Sequence, residues 1–286
     1  MISAHELPEL MARWTHPDPM ASTGFDDLDS VTAGMVPGRV WIVMAKPGEG
    51  RTTLLVQWAT AIARQPDQHV HLVTPRESLS DVAARLHALL GLIPLNHLTN
   101  GRGHRSEQDA GRLARARERI EGLSLALYAE YDEAYVPEVH PWNAAAQPTA
   151  VVVDDADMVS GLNPVRVREY AKAGKFVLVS LPRHRVMVRD AAEDLDPGWA
   201  RVADVVVEVE HRGVGSSGDP RPGEADLHVR YNRHGHLRTI GVQHQAHFSR
   251  FLDGGVGSSA SSHSTAKRDT AVRESPHALA SQPSGN

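Results

Sequence analysis

Apolar residues follow two rhythms along this chain. Nearly unbroken apolar runs occur at 40–45 (VWIVMA), 70–74 (VHLVT), 125–129 (LALYA), 150–154 (AVVVD), 176–180 (FVLVS) and 205–209 (VVVEV). Runs that are apolar on consecutive positions predict strands buried on both faces, and such strands assemble into parallel sheets. Between them the spacing changes. Leu55, Trp58, Ala59 and Ile62 form one stripe of a helix over 52–64, and a second helix is predicted from about 80 to 90. Residues 113–120 are helical in pattern but heavily charged. Residues 227–233 and 237–243 alternate more, which predicts an antiparallel hairpin turning at His234-Gly235. The fold class is therefore α/β, a mostly parallel sheet flanked by helices with a C-terminal β-hairpin.

The flanks differ from this core. Leu7, Leu10, Met11 and Trp14 fall on one face of a short amphipathic helix that His16-Pro17-Asp18-Pro19 ends. That helix docks either on its own core or on a neighbouring subunit. Residues 254–286 are rich in Ser, Gly, Ala and Pro without apolar periodicity, the composition of a disordered tail. The expected organisation is an amphipathic segment at 1–22, a folded domain at 23–253 and a tail at 254–286. Within the domain, Pro137, Pro141 and Pro148 break up the stretch before the 150–154 strand, and 213–223 has the composition of a surface loop.

Composition narrows the chemistry. The 286 residues are 41 % hydrophobic and 23 % charged, as in globular proteins. The longest apolar helical candidate, 54–63, is about half the roughly 18 residues needed to span a bilayer, so no membrane association is expected. The N-terminus shows no basic stretch followed by an apolar core, so no secretory signal is expected. The chain has no cysteine, which excludes disulfides, thiolate metal sites and a Cys nucleophile, and fits a cytoplasmic location. A net charge of -5 argues against a uniformly basic nucleic-acid coat, though not against a basic lining in a ring or cleft.

The strongest local signal is Ala45-Lys46-Pro47-Gly48-Glu49-Gly50-Arg51-Thr52-Thr53, between a predicted strand and a predicted helix. Glycines there let backbone N–H groups converge on a phosphate at a helix N-terminus, where the dipole favours an anion. A basic side chain reaches the outer phosphates and a hydroxyl, here Thr52, binds Mg2+. Two positions depart from G-x-x-x-x-G-K-[ST]: Ala45 replaces the first glycine and Arg51 the lysine. Guanidinium is wider and more weakly hydrated than ammonium, and losing one well-placed transition-state contact costs on the order of 10²–10³ in rate. An ordinary Gly-rich turn is the alternative. The run Val151-Val152-Val153-Asp154-Asp155, an apolar strand ending in carboxylate, has the form of a Walker B segment, with Asp154 placed to hold Mg2+ or its water.

Together with these motifs, Thr23-Gly24-Phe25-Asp26-Asp27-Leu28-Asp29, Thr32-Ala33-Gly34, Ala203-Asp204-Val205, Arg233-His234-Gly235 and Phe248-Ser249-Arg250-Phe251 follow one another in the order found in a known family. The chain resembles the C-terminal RecA-like motor domain of bacterial replicative hexameric helicases, the DnaB type, over about 23–253. The resemblance implies a RecA-like P-loop core binding ATP and Mg2+ between the subunits of a homo-oligomeric ring. It implies single-stranded DNA and replication proteins as partners. The nucleotide would contact Ala45, Gly48, Glu49, Gly50, Arg51, Thr52 and Thr53. Thr52 and Asp154 would hold the metal, and Arg233 would be a finger reaching a neighbour's γ-phosphate. A solvated hairpin arginine is the bland alternative for Arg233.

Departures accompany the matches. The family's catalytic glutamate follows the second strand, where this chain has Thr74-Pro75-Arg76-Glu77; the ungapped match puts Arg76 at the glutamate, and Glu77 substitutes only if the loop shifts by one residue. Leu181 stands at a glutamine sensor and Tyr231 at a lysine before the finger. The family's separate N-terminal helical domain is expected to be absent. Two functions stay open: a helicase-type ATPase, and a degenerate nucleotide-binding module with little turnover that regulates or scaffolds DNA machinery. A recombination- or clock-type ATPase is a third, weaker reading. Among 17 histidines, His234-x-His236 and His244-x-x-His247 are the closest groupings, but no carboxylate joins them at a recognised metal spacing. The basic stretch from Arg183-His184-Arg185 to Arg189 lies where the family has a DNA-contacting loop, and the acidic residues after it fit a solvated loop equally well.

Overall fold

Alternate residues of one central strand feed two opposite cores. This strand, β1 (Val40–Ala45), is buried along its whole length. The computed structural model describes residues 20–100, 107–129, 148–183, 195–212 and 222–254. The 1–19 part of the amphipathic segment, the 255–286 part of the tail, the basic stretch 184–189 and the 213–221 part of the surface loop lie outside the described residues. The other strands are β2 (Val70–Thr74), β3 (Leu125–Ala129), β4 (Ala150–Val153), β5 (Phe176–Pro182), β6 (Val205–His211), β7 (Glu224–Asn232), β8 (Thr239–Gln245) and β9 (Arg250–Asp253). The described strands make one sheet in the order β3-β2-β4-β5-β1-β6-β7-β8-β9. Pairing is parallel from β3 to β6 and antiparallel from β6 to β9.

Helices cover both faces. They are α1 (Asp26–Thr32), α2 (Arg51–Ala63), α3 (Leu79–Gly91), α4 (Leu95–Thr99), α5 (Glu107–Glu121), α6 (Pro164–Lys172) and α7 (Pro197–Val202). Trp41, Val43 and Ala45 pack with Leu28 of α1, Leu54, Leu55, Trp58 and Ile62 of α2, and Val82 and Leu86 of α3. Trp41 meets Trp58 edge to face, ring centres 5.5 Å apart, a favoured aromatic geometry. Val40, Ile42 and Met44 face the other way, against Val167 and Ala171 of α6 and Trp199 of α7. A sheet covered on both sides explains the unbroken apolar runs.

The α/β fold with its mostly parallel sheet is the one the apolar pattern predicts, with two differences in the sheet. The predicted hairpin β7–β8 is present, but it pairs with β6 on one side and with β9 on the other. The four-residue β9 is too short for alternation to reveal. The second difference is that β5 runs past Ser180 to Pro182, so Leu181 is a buried sheet residue.

Candidate functional site

The loop after β1 gets its shape from two glycines. Gly48 and Gly50 have φ of +84° and +91°, left-handed backbone that only glycine adopts freely. Gly50 immediately precedes α2 and has no side chain to cap it, so a ligand is free to take that role for the first-turn N–H groups. The Lys46 N–H donates to the Glu49 carboxylate at 3.0 Å, and the Glu49 N–H returns to the Lys46 carbonyl at 3.2 Å. These bonds tighten the loop from within.

Beneath the loop lies a cavity of about 450 Å³, walled by Gly48, Gly50, Arg51, Thr52, Thr53, Arg76, Glu77, Asp154 and Asp155 among others. Two of the nucleotide contacts implied by the resemblance are not on its wall. Ala45 is the buried last residue of β1, and Glu49 turns its carboxylate onto the Lys46 backbone. A second cavity, of the same volume, holds neither the loop nor either aspartate.

Thr52 and Asp154 meet in the cavity. The Thr52 hydroxyl donates to Asp154 Oδ2 at 2.5 Å. Ser180, on β5, donates its hydroxyl to Asp154 Oδ1 and accepts the Asp155 N–H at 2.8 Å. One serine thereby fixes both aspartates at the end of β4. Among the described residues, no group of three or more His, Cys, Asp or Glu is arranged to hold a metal. Mg2+ does not need one, because it keeps several waters and takes phosphate oxygens, with one or two protein ligands. A hydroxyl beside a carboxylate fits that requirement, so Thr52 and Asp154 are the residues that would hold it.

Arg51 does not extend freely from the loop. It is 9 % exposed, and its guanidinium is paired with Asp155 and lies 3.8 Å from Asp154 Oδ1. Arg76 Nη1 approaches Asp155 from the other side, at 3.7 Å. Burial pushes the Asp155 carboxyl above the usual range and the neighbouring Asp154 adds to this, while Arg51 and Arg76 pull it back. The sequence offered no role for Asp155; the relevant signal is a second carboxylate next to Asp154, at the end of an apolar strand, in a chain whose loop carries an extra-wide cation.

Glu77 also borders the cavity, but both its oxygens accept from Arg85 of α3, at 2.7 and 2.6 Å. Arg233 does not join the loop of its own chain. Its N–H donates to the Asp204 carbonyl at 2.8 Å and its Nη1 lies 3.3 Å from Asp204 Oδ1. Asp204 in turn accepts the N–H of Val40, the first residue of β1. The loop follows Ala45, at the other end of that strand, about 17 Å away at the usual rise per residue. A hydrogen bond with Tyr231 strengthens the basicity of Arg233.

The remaining candidates have local roles. His244 forms part of the cavity wall, stacked on Phe251 at 4.2 Å and meeting His211 edge-on at 4.5 Å. Arg183 pairs with the buried Glu208, which Arg230 also contacts at 2.6 Å. Among the described residues, no helix is long and apolar enough to cross a membrane.

Comparison with known proteins gives a consistent picture. The DnaB-like helicase C terminal domain family matches residues 21–163. The replicative DNA helicase DnaB of Leifsonia xyli subsp. xyli (strain CTCB07) is 28 % identical over 254 residues, covering 81 % of this chain and 55 % of that protein. The chain thus spans about half the length of that relative. Among solved structures, a DnaB-like replicative helicase described with its interactions with primase superimposes with a TM-score of 0.69 at 15 % identity, over 88 % of this chain and 68 % of the other. A second solved structure, an ATPase domain on its own, gives 0.68 at 14 % identity, over 88 % and 99 %. At such identities the likeness is one of fold.

Proposed function

The chain belongs to the family of DnaB-like helicase C-terminal domains, and from that premise we propose that it binds ATP with Mg2+ at the loop after β1. In this reading it works in the cytoplasm as a ring of identical subunits, with single-stranded DNA and replication proteins. The observation that carries the nucleotide site is the Thr52–Asp154 contact beneath two left-handed glycines. Loop amides, the N-terminus of α2 and Arg51 would receive the phosphates, and Thr53 lines the same wall. Bound Mg2+ would neutralise charge on the outer phosphates. The position of Arg233, at the far end of β1, supports a finger that acts on a neighbour's nucleotide rather than its own.

Two observations favour the second reading, a nucleotide-binding module with little turnover. Glu77, next in sequence to the position of the family's catalytic base, has both oxygens occupied by Arg85. The cation that replaces the loop lysine is held by Asp155. The deciding experiment titrates purified protein with a fluorescent ATP analogue and Mg2+, then measures ATP turnover with and without single-stranded DNA. Saturable binding with DNA-stimulated turnover establishes the motor. Binding without turnover, unchanged by DNA, leaves the module. No saturable binding removes both.

A further inference from the structure

Asp155 sits between two arginines that the phosphate site would otherwise use. We propose that Asp155 is an internal competitor for polyphosphate, so that it sets the affinity of the site and biases it toward ligands with three linked phosphates. The proposal rests on the nucleotide-binding reading and adds to it which residue sets selectivity. Arg51 occupies the position that reaches the outer phosphates, and its guanidinium is paired with Asp155 in a buried setting. Arg76 comes to the same carboxylate at 3.7 Å from the rim of the cavity, with its side chain 56 % exposed. Arg51 Nε and Nη1 are buried and make no hydrogen bond among the described residues, so this guanidinium has unspent donors.

A phosphate that takes these arginines has to replace a carboxylate already in contact with them. A diphosphate, whose charge is spent largely on the loop amides, gains little from that exchange. A triphosphate has a further charged group to place between Arg51 and Arg76, and bidentate arginine–phosphate contacts are among the stronger charge-assisted bonds. Both arginines stand where the family resemblance implies other residues, and both converge on a carboxylate to which that resemblance assigns no role. Linkage makes the competition reciprocal: whatever Asp155 gains from the arginines is subtracted from the ligand's affinity.

Asp155→Asn removes the competing charge with little steric change. Asp155 has φ +47°, a left-handed position that asparagine tolerates well, and its N–H keeps the bond to Ser180. The probes are ATP, ADP and inorganic tripolyphosphate, each with Mg2+ and with EDTA, by calorimetry on the full chain. Asp157→Asn, an exposed neighbour, is the control for charge in general. Asp155→Asn should tighten ATP and tripolyphosphate by about fivefold or more, in the usual range of coupling between sites, and ADP by less. The gain should persist in EDTA, be absent in Asp157→Asn and shrink when Arg76→Gln is added. An unchanged or weaker ATP affinity in a folded Asp155→Asn overturns the proposal, as does an equal gain in Asp157→Asn or an equal gain for ADP. Should Asp155→Asn not fold, Arg76→Gln alone decides: weaker tripolyphosphate binding is expected, and unchanged binding overturns the proposal. If the wild-type chain shows no saturable binding of any probe, the nucleotide reading itself falls.

Discussion

The Thr52 hydroxyl donates to the Asp154 carboxylate at 2.5 Å, joining positions 102 residues apart. The sheet order brings them together: β4 pairs with β5 and β5 with β1, so the end of β4 lies beside the loop that follows β1. Asp154→Asn keeps the size of the side chain and an oxygen to accept from Thr52, but removes the charge. The increment of ATP affinity that Mg2+ gives should fall by about tenfold or more, the usual scale of damage to a metal's immediate surroundings, while affinity in EDTA changes little. Titrations in the two media measure this directly, and an undiminished Mg2+ increment would place the cation elsewhere.

The two glycines of the loop should respond differently to alanine. At Gly48, φ is +84° and an added Cβ meets nothing within 4 Å, so Gly48→Ala carries only the left-handed backbone cost of about 1–2 kcal/mol. At Gly50, φ is +91° and the same atom would lie 2.7 Å from Phe251 Cζ. Overpacking adds about 1–3 kcal/mol there. Urea denaturation of the two variants should rank Gly50→Ala clearly below Gly48→Ala; equal losses would show that the Phe251 ring yields without cost.

How much of this was legible in the sequence depends on the range of the interactions. The strands β1 and β4 were plain because burial on both faces makes them apolar at every position, and β5 and β6 because each opens on an unbroken apolar run, 176–179 and 205–207. Helices α6 and α7 carry only cap signals, Asn163-Pro164 and Asp196-Pro197, in short stretches with little apolar stripe. The glycine-rich loop after β1 was legible because its glycines and hydroxyl are contiguous. The Arg51–Asp155–Arg76 cluster was not: its members come from three separate segments, and nothing local to any one of them shows that their charges converge.

The histidines behind the loop predict an acid sensitivity. Burial, helped by His211 and Arg85, holds His244 down at about 4, against 6.5 ordinarily. Burial also lowers His211, and Nε2 of neither ring finds a hydrogen-bond partner among the described residues. Between pH 6.5 and 4 the unfolded chain takes up a proton that the folded His244 refuses. The stability tied to this ring is therefore fully present above about 6.5 and is lost as pH falls toward 4. Asp155, whose carboxyl is raised in the fold, works in the opposite direction at the acid end, so the difference between variants is the informative quantity. His244→Phe keeps a ring on Phe251 without the titrating nitrogen. Its denaturation midpoint should drop less than the wild type's between pH 7 and pH 5, and an identical drop would exonerate His244.

Arg233 offers the sharpest test of assembly. It lies beside Asp204 at the start of β1, while the glycine-rich loop follows the end of that strand, and one chain cannot bring the two together without dismantling its sheet. Its side chain is 40 % exposed, and the buried Asp204 keeps Arg168 and the Val40 N–H as partners without it, so Arg233→Ala should fold normally. ATP affinity measured on dilute, unassembled chains should be unchanged. Turnover by the assembled protein, however slow, should fall by at least about tenfold, well inside the range known for arginine fingers. Mixing Arg233→Ala with Asp154→Asn chains then separates the two roles, since a junction that combines an intact loop from one chain with an intact arginine from the other restores part of the activity. Turnover that ignores Arg233 at every protein concentration would make it a surface arginine of the hairpin and remove the need for a neighbour at the site.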